Sequence, residues 1–375
     1  MITINLKKIY NRLLQLAIVV QIFINSTNTT LKNTAFKYTQ YFLWALMITL
    51  LLFLIHSNGI TQRTMISIII FLFITIIATL FNDKTIIPLF IFSTYCIYMD
   101  NTQIVSNYLK GITTIIIITV LLSISGFLPI KTGTNLLSFG FNNPNDFGFL
   151  LVIVYIGYCI LNRYHLVIKF FLAISLVCFN IFFLDDNTAS IVIILFYILQ
   201  LIHFEQINYF LQKMTIIMPE LLLFVSYFLM RTYGKYKWTY SIDSFLTNRP
   251  QIWSFYNNLY GISLFPQKIQ TYSLSNYEYF FFGQNLPLQY RGFDGAYIYL
   301  LIFDGIIMTI FILIAISYFV AQLDLKKEQI YICSTLSILI FGITESVAIA
   351  PFGYFENFLL ILVIRKVLLG SREIK

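Results

Sequence analysis

Arg249 lies in the stretch TNRPQIWSFYNN, residues 247–258, whose residue types could bind an anion. Thr247 is typical of the residue that caps a helix, and Pro250 suits a first helical turn, where no backbone N–H is needed. Apolar residues then recur at helical spacing as far as Tyr260. The pattern predicts a short amphipathic helix, Thr247–Tyr260, with Arg249 beside free N–H groups. An arginine at a helix N-terminus favours phosphate or diphosphate; a surface helix with a solvated arginine is the alternative.

Asp294 could serve as a base. It stands three residues after Arg291 and directly before an apolar run that begins at Gly295. Asp294 is also well suited to cap that helix, and capping stabilises the ionised carboxylate and weakens it as a base. A basic Asp294 would need burial or a neighbouring carboxylate. The sequence leaves both roles open.

Two shorter polar stretches complete the set of candidate residues. FGFNNPNDFGFLL, residues 139–151, contains an Asn-Pro turn in which Asn145 could contact a substrate and Asp146 could cap the following helix. Asp185 and Asp186 form an acidic pair between two apolar runs. Such a pair could bind a divalent ion, although solvated carboxylates are the more common explanation.

These residues are embedded in a very apolar chain. Of its 375 residues 59% are hydrophobic and only 11% are charged, with a mean hydropathy of +0.81. No globule of this size can hide so many apolar side chains, so the chain is predicted to be an all-α polytopic membrane protein. About twelve segments are long enough to cross a bilayer. They are Ile9–Asn25, Tyr38–His56, Thr64–Phe81, Thr85–Met99, Gly111–Ile130, Phe147–Asn162, Leu166–Leu184, Thr188–Phe204, Met214–Met230, Gly295–Val320, Ile330–Ala350 and Asn357–Leu369.

The basic residues predict the orientation of these segments. With both termini in the cytoplasm, 14 of the 24 Lys and Arg residues lie on the cytoplasmic side, as the positive-inside rule requires. The long polar loop is then external. The expected division is an N-terminal transmembrane bundle 1–230, an extracytoplasmic loop 231–293 with short helices, and C-terminal transmembrane helices 294–375. Six cations in the long loop favour an anionic ligand: Arg231, Lys235, Lys237, Arg249, Lys268 and Arg291.

Several function classes lack their sequence signatures. The chain has no phosphate-binding P-loop, no dinucleotide-binding glycine motif and no HExxH zinc motif. The four cysteines fall in apolar spans, where a thiol usually behaves as a small hydrophobe. Cytoplasmic span ends facing anionic lipid account for most of the net charge of +8. We therefore expect no cofactor, no metal and no nucleic acid partner.

Three motifs occur in the same order and on the same predicted side: NNPND entering a span, NRPQIW in the long loop, and FGQNL followed by DGAYIYLLIFDGI. Together they resemble the O-antigen ligase and Wzy polymerase superfamily of bacterial surface polysaccharide assembly, over about 142–307. Ligases of that superfamily look to have a His-Asn pair before a Tyr, where this chain has Asp294, Gly295, Ala296 and Tyr297. Polymerases of the Wzy type vary more at this point and fit better.

The resemblance implies a GT-C-like membrane glycosyltransferase in the bacterial cytoplasmic membrane. Its substrate would be an undecaprenyl-diphosphate-linked oligosaccharide, used at the outer face without a metal or nucleotide sugar. A flippase and a chain-length regulator are the implied partners, beside the lipid bilayer. Asp294, Arg249 and Arg291 would be catalytic, and the expected substrate-binding residues are Arg231, Asn145, Trp253, Tyr290 and Tyr297.

A carrier is the main alternative, for example a lipid-linked oligosaccharide flippase. Ionisable residues inside apolar spans support it, since such residues are usually functional: Lys169, Glu220, Asp304 and Glu345. Lys169 is close enough to a span end to extend its ammonium group to the interface. Carriers use midplane sites and broken helices rather than a long external loop. The sequence therefore favours the enzyme.

Overall fold

A computed structural model describes residues 2–27, 34–81, 86–131, 136–162, 165–202, 204–269, 293–349 and 357–370. Its regular elements over these residues are helical. The helices are α1 Ile2–Ser26, α2 Thr34–Asn58, α3 Gln62–Leu80, α4 Ile86–Tyr95, α5 Asn101–Ile124, α6 Pro144–Leu161, α7 Leu166–Phe179, α8 Asn187–Gln200, α9 Glu205–Thr232, α10 Lys237–Phe245, α11 Arg249–Tyr260, α12 Ala296–Tyr299, α13 Gly305–Ala321, α14 Leu325–Phe341 and α15 Phe358–Leu369.

Eight helical segments in the described residues are long and apolar enough to cross a membrane. They are Leu6–Ser26, Phe36–Asn58, Gln62–Leu80, Asn101–Ile124, Pro144–Leu161, Leu166–Leu184, Glu205–Thr232 and Ala296–Ala321. The predicted helical membrane protein is confirmed at this level. The other four predicted spans coincide with shorter helices, namely α4 with its 3₁₀ extension to Tyr98, α8, α14 and α15.

The apolar core lies among α1, α5, α6, α8, α14 and α15, and the side chains of many outer helices remain exposed on the surface of the bundle. Many Ile, Leu and Phe side chains of α3 and α7 are exposed on the surface of the bundle. Such a surface is too apolar for contact with water and suits contact with lipid. The side chain of Lys169 is buried between α7 and α8, where its ammonium donates a hydrogen bond to Gln200 Oε1 at 3.1 Å. That this ammonium also extends to a membrane interface stays a prediction.

Two helical segments are interrupted where polar residues enter the bundle. The segment of α7 continues as a π-helical turn, Asn180–Leu184, and ends at Asp185, whose φ of +55° turns the chain into α8. The second break separates α12 and its π-helical extension, Leu300–Asp304, from α13, where Gly305 has a φ of +77°.

The loop 261–269 fills the break at Gly305. The Gln267 N–H donates to the Phe303 carbonyl oxygen at 3.0 Å, and the Ile306 N–H donates to the Ser263 carbonyl oxygen at 3.0 Å. A Cβ at Gly305 would lie only 2.7 Å from the Phe265 backbone, so this close approach requires glycine. Backbone groups released by the interruption are thus satisfied by protein, which is the condition for irregular backbone inside a membrane domain.

Candidate active site

The helix that begins with Arg249 is present, but its start differs from the prediction. The N-cap is Asn248, in the left-handed conformation with φ +64°, and not Thr247, whose hydroxyl instead accepts a hydrogen bond from Arg249 Nη1. The backbone N–H of Gln251 is taken by the Asp243 carboxylate of α10 at 2.9 Å. Because Asp243 already binds this N–H, the expectation of free N–H groups beside Arg249 is wrong there.

The apolar face of α11 packs against the transmembrane bundle. Its side chains form a buried cluster with the end of α9 and with the segment around α12. Trp253 is fully buried, and its Nε1–H donates to the Asp294 carbonyl oxygen at 2.6 Å. Gly295 has φ +96°, and a Cβ there would lie 2.5 Å from the Trp253 ring. Trp253 therefore fixes α11 against the Asp294–Gly295 turn, and its buried ring is not available to stack on a sugar as expected.

The Arg249 guanidinium is buried at the point where four chain segments meet. Its Nε donates to the Thr344 carbonyl oxygen at 2.5 Å, and its Nη1 donates to the Leu246 carbonyl oxygen at 3.2 Å. Its Nη2 donates to Glu345 Oε1 at 2.7 Å and lies 3.8 Å from Asp294 Oδ2. The main-chain acceptors fix the plane of the guanidinium, and its Nη2 edge faces two carboxylates.

Asn145 and Asp186 bring two more helix starts to this cluster. Asn145, in the first turn of α6, directs its amide nitrogen at both Glu345 carboxylate oxygens at 3.4 Å. Asp186 caps α8 by accepting the Ala189 N–H at 2.9 Å. Asp186 is 3% exposed, so the expectation of a solvated acidic pair is wrong for this residue. Its Oδ2 has no hydrogen-bond partner in the part of the chain that the structure describes.

Access to solvent differs between the carboxylates. The Asp294 side chain is 23% exposed, whereas those of Glu345 and Arg249 are 4% and 5% exposed. The expected capping role of Asp294 is wrong, because Gly295 holds the N-cap position of α12. Partial burial and the neighbouring carboxylate of Glu345, the conditions that would make Asp294 more basic, are both present. Of these two carboxylates, Asp294 is the more accessible to solvent.

The pKa values of three carboxyls, those of Asp186, Asp294 and Glu345, are affected by burial and by the nearby Arg249 guanidinium. Burial raises the pKa of the Asp294 carboxyl, and Arg249 opposes the shift. Burial also raises the pKa of Glu345 well above its ordinary value, the negative charge of Asp294 adds to this, and Arg249 counteracts both. For Asp186, burial raises the pKa to about 6, although the Ala189 N–H stabilises the charged form. Burial thus shifts all three carboxyls toward their protonated forms, and the Arg249 guanidinium opposes this shift.

The other predicted site residues lie away from this cluster or outside the described residues. Arg231 is exposed in the last turn of α9. Tyr297 is buried in α12 and donates its hydroxyl to the Leu339 carbonyl oxygen at 2.7 Å, which supports the helix rather than a ligand. Tyr290 and Arg291 lie outside the described residues, as does the whole segment 270–292.

Sequence reasoning missed Glu345 and Asp186 as members of the site. The sequence marks Glu345 only as an ionisable residue inside a predicted span, but a carboxylate within an apolar run is itself a signal of a paired partner. The partner, Arg249, is 96 residues away in the sequence. Within the described residues no group of three His, Cys, Asp or Glu side chains is arranged to hold a metal ion.

Comparisons with protein-family models, curated proteins and solved structures gave no match.

Proposed function

We propose that this chain is a Wzy-type polymerase that joins undecaprenyl-diphosphate-linked oligosaccharide repeat units into a surface, capsular or exopolysaccharide. The observation that carries the proposal is the meeting of three motifs at one arginine. Asn145 of NNPND contacts Glu345, Glu345 pairs with Arg249 of NRPQIW, and Asp294 of DGAYIY lies beside the same guanidinium. Stretches separated by roughly 50 to 100 residues in sequence thus supply one polar site at an end of the bundle.

The residues match the chemistry of glycosyl transfer from a lipid diphosphate. An acceptor hydroxyl attacks the anomeric carbon, the bond to the lipid diphosphate breaks, and the diphosphate leaves with the electron pair. Asp294, the most accessible carboxylate of the cluster, takes the hydroxyl proton. Arg249 stabilises the negative charge that develops on the leaving diphosphate. Arg291, from the same loop, is the second cation proposed for this task.

Polymerase activity agrees better with the site than ligase activity does. The ligase branch is expected to use a histidine before the late transmembrane helix, and this chain has Asp294 followed by Gly295 there. Of the three histidines of the chain, His56 lies in the last turn of α2, His165 directly precedes α7, and His203 lies outside the described residues. A carboxylate base is therefore the proposed substitute.

The proposal includes a topology of about twelve spans in a GT-C-like fold, with both termini in the cytoplasm and the Arg249 cluster at the outer face of the bacterial cytoplasmic membrane. Single cysteines at the exposed positions Lys268 and Lys326 test this orientation. In whole cells an impermeant thiol reagent should label the first and not the second. Labelling of Lys326→Cys with protection of Lys268→Cys would invert the topology.

A deletion strain tests the function directly. Cells without the protein should lose long surface polysaccharide and accumulate single repeat units on undecaprenyl diphosphate at the outer face, because flipping continues while joining stops. The wild-type gene should restore polymer, and Arg249→Ala at equal membrane abundance should not. Normal polymer length in the deletion strain would refute the proposal.

A lipid-linked oligosaccharide carrier is the second candidate, and one observation favours it. The break at Asp304–Gly305 interrupts a membrane-spanning segment and places a fully buried carboxylate there, as carriers often do. For a carrier, the deletion strain would accumulate repeat units only in the inner leaflet. A glycosidase added to the periplasmic side separates the two functions: it should digest the accumulated units if the protein is a polymerase and leave them intact if it is a carrier.

A further inference from the structure

The Nη2 edge of Arg249 is the part of the guanidinium that could receive a phosphate oxygen. Nε and Nη1 are committed to the main chain of Thr344 and Leu246 and to the Thr247 hydroxyl. These contacts hold the plane in place from two separate segments of the chain. A ligand that binds Arg249 without unfolding its surroundings must therefore approach the Nη2 edge.

Glu345 occupies that edge. Its Oε1 accepts from Nη2 at 2.7 Å, both its oxygens lie 3.4 Å from the Asn145 amide nitrogen, and the residue is 3% exposed. A carboxylate bound to an arginine imitates one edge of a phosphate, because both present two oxygens to the N–H fork. The Nη2 edge of Arg249 is thus an anion-binding site that the Glu345 carboxylate already occupies.

Further carboxylates make this arrangement electrostatically unfavourable for a second anion. Asp294 lies 3.8 Å from the same Nη2, and Asp186 from the start of α8 lies within electrostatic range of both Arg249 and Glu345. A diphosphate placed beside these carboxylates would meet like charges in a poorly solvated site, which disfavours its binding.

We propose that Glu345 is an internal competitor for the Nη2 edge of Arg249, and that it takes up a proton and releases this edge when a lipid diphosphate binds. The inference rests on the proposed function, because that function supplies the anionic donor. The proton comes from solvent, resides on the Glu345 carboxyl while the diphosphate is bound, and returns to solvent when the diphosphate leaves. The exchange keeps Arg249 paired in both states, so the buried guanidinium is never left uncompensated.

The sign of one substitution separates this role from simple support of Arg249. Glu345→Gln keeps the size and removes the charge, so a competing Glu345 predicts tighter diphosphate binding, by about tenfold or more. A merely structural Glu345 predicts weaker binding, since Arg249 would lose the partner that orients it. The control is Glu205→Gln, which removes an exposed carboxylate that pairs with Lys326 elsewhere on the protein.

The experiment titrates the purified full-length chain in detergent with farnesyl diphosphate by calorimetry. The proposal expects affinity at least tenfold higher for Glu345→Gln, unchanged for Glu205→Gln, and close to wild type for Glu345→Asp, which keeps the charge. Arg249→Ala should abolish the effect of Glu345→Gln. Parallel titration with inorganic diphosphate determines the ligand source: an equal gain assigns recognition to the diphosphate group, and a gain restricted to farnesyl diphosphate assigns it to a lipid diphosphate.

A second measurement uses only the wild-type protein and so does not depend on how variants fold. Infrared difference spectra on binding farnesyl diphosphate should show a carboxylate band lost and a protonated carboxyl band gained. Unchanged or weaker affinity of a well-folded Glu345→Gln protein, or no protonated carboxyl band in the wild type, would overturn the proposal. Those results would leave the polymerase function standing, whereas normal polymer in the deletion strain would remove that function independently of these titrations.

Discussion

Two buried arginines of this protein differ in the partners that hold them. Arg249 is 4% exposed and its Nη2 faces the carboxylates of Glu345 and Asp294. Arg365 of α15, toward the opposite end of the bundle, is 9% exposed, and its Nε and Nη1 donate to the Cys96 carbonyl oxygen and Asn101 Oδ1, both at 2.9 Å. The two arginines are similarly buried, but the acceptors facing Arg249 Nη2 are carboxylates, whereas those of Arg365 Nε and Nη1 are neutral oxygens.

The difference indicates which arginine can do chemistry. Neutral carbonyl and amide oxygens satisfy N–H groups but cannot gain or lose a proton near neutral pH. Arg365 thus ties α15 to the region where α4 ends and α5 begins, and its role is anchoring. Carboxylates around Arg249 can change charge and can be displaced by another anion, which makes that end of the molecule suited to an ionic substrate.

Replacing Arg249 should have the largest effect. Under the proposed function, Arg249→Ala should lower polymer formation roughly 100-fold or more, because the proposed charge-assisted contact to the leaving diphosphate would be lost. Arg249→Lys should also be impaired, since it keeps the charge but loses the planar fork. Polymer length and transfer rate, measured at equal membrane abundance, test both variants. Near-normal polymer from Arg249→Ala would exclude this residue as the anion anchor.

The turn that carries Asp294 offers a matched pair of glycine variants. Gly295 and Gly261 both have positive φ, of +96° and +66°, but only at Gly295 would a Cβ meet a neighbour, the Trp253 ring at 2.5 Å. Gly295→Ala should displace Asp294 from Arg249 and reduce transfer roughly ten- to a hundredfold. Gly261→Ala should show only backbone strain, as a modest fall in the thermal midpoint. Equal losses of activity in both variants would contradict this explanation.

Removing Arg365 should affect stability and not chemistry. Arg365→Ala deletes charge-assisted hydrogen bonds to Cys96 and Asn101, so the free energy of unfolding should fall by about 1.5–3 kcal/mol per lost contact. Thermal unfolding in detergent measures the loss, and the farnesyl diphosphate affinity of the remaining folded protein should equal that of the wild type. A change in affinity without a change in stability would show that the two arginines are not functionally distinct.

The pH effect on stability predicted for Asp186 is opposite in sign to that of a carboxylate whose pKa is lowered by folding. Its pKa is raised by burial to about 6 in the folded protein, so its favourable contribution is fully present below the unfolded pKa of about 4 and is lost as pH rises through about 6. Asp186→Asn should therefore raise the thermal midpoint at pH 8 by a few degrees and flatten its pH dependence between about pH 4 and 7. The asparagine can still cap α8. A lower midpoint at pH 8 would refute the assignment.

Lys268 should give the smallest effect. It is an exposed cation of the same loop, outside the cluster around Arg249. Lys268→Ala should leave transfer within about twofold of wild type if specific contacts, and not general attraction of anions, drive binding. A loss comparable with that of Arg249→Ala would show that the loop acts through its summed charge.

The class of the protein and most of its helices could be predicted from its composition and its apolar runs. Apolar runs long enough for a bilayer leave few other structures, because every backbone group must be paired inside the chain. Local signals also sufficed for α11, where Pro250 and the apolar spacing fixed a short helix close to its observed bounds, Arg249–Tyr260. Arg249 and Asp294 were identifiable because charged residues are rare in so apolar a chain.

Only the tertiary structure decided the partners of these residues. Whether Asp294 caps a helix or faces an arginine depends on Gly295, whose φ of +96° turns the chain and leaves the carboxylate beside Arg249. Glu345 and Asp186 joined the site because the end of α14 and the start of α8 meet α11 there, and contacts between residues so distant in sequence leave no local pattern. Side-chain spacing predicts helices, but the packing of helices against one another decides which charges share a site.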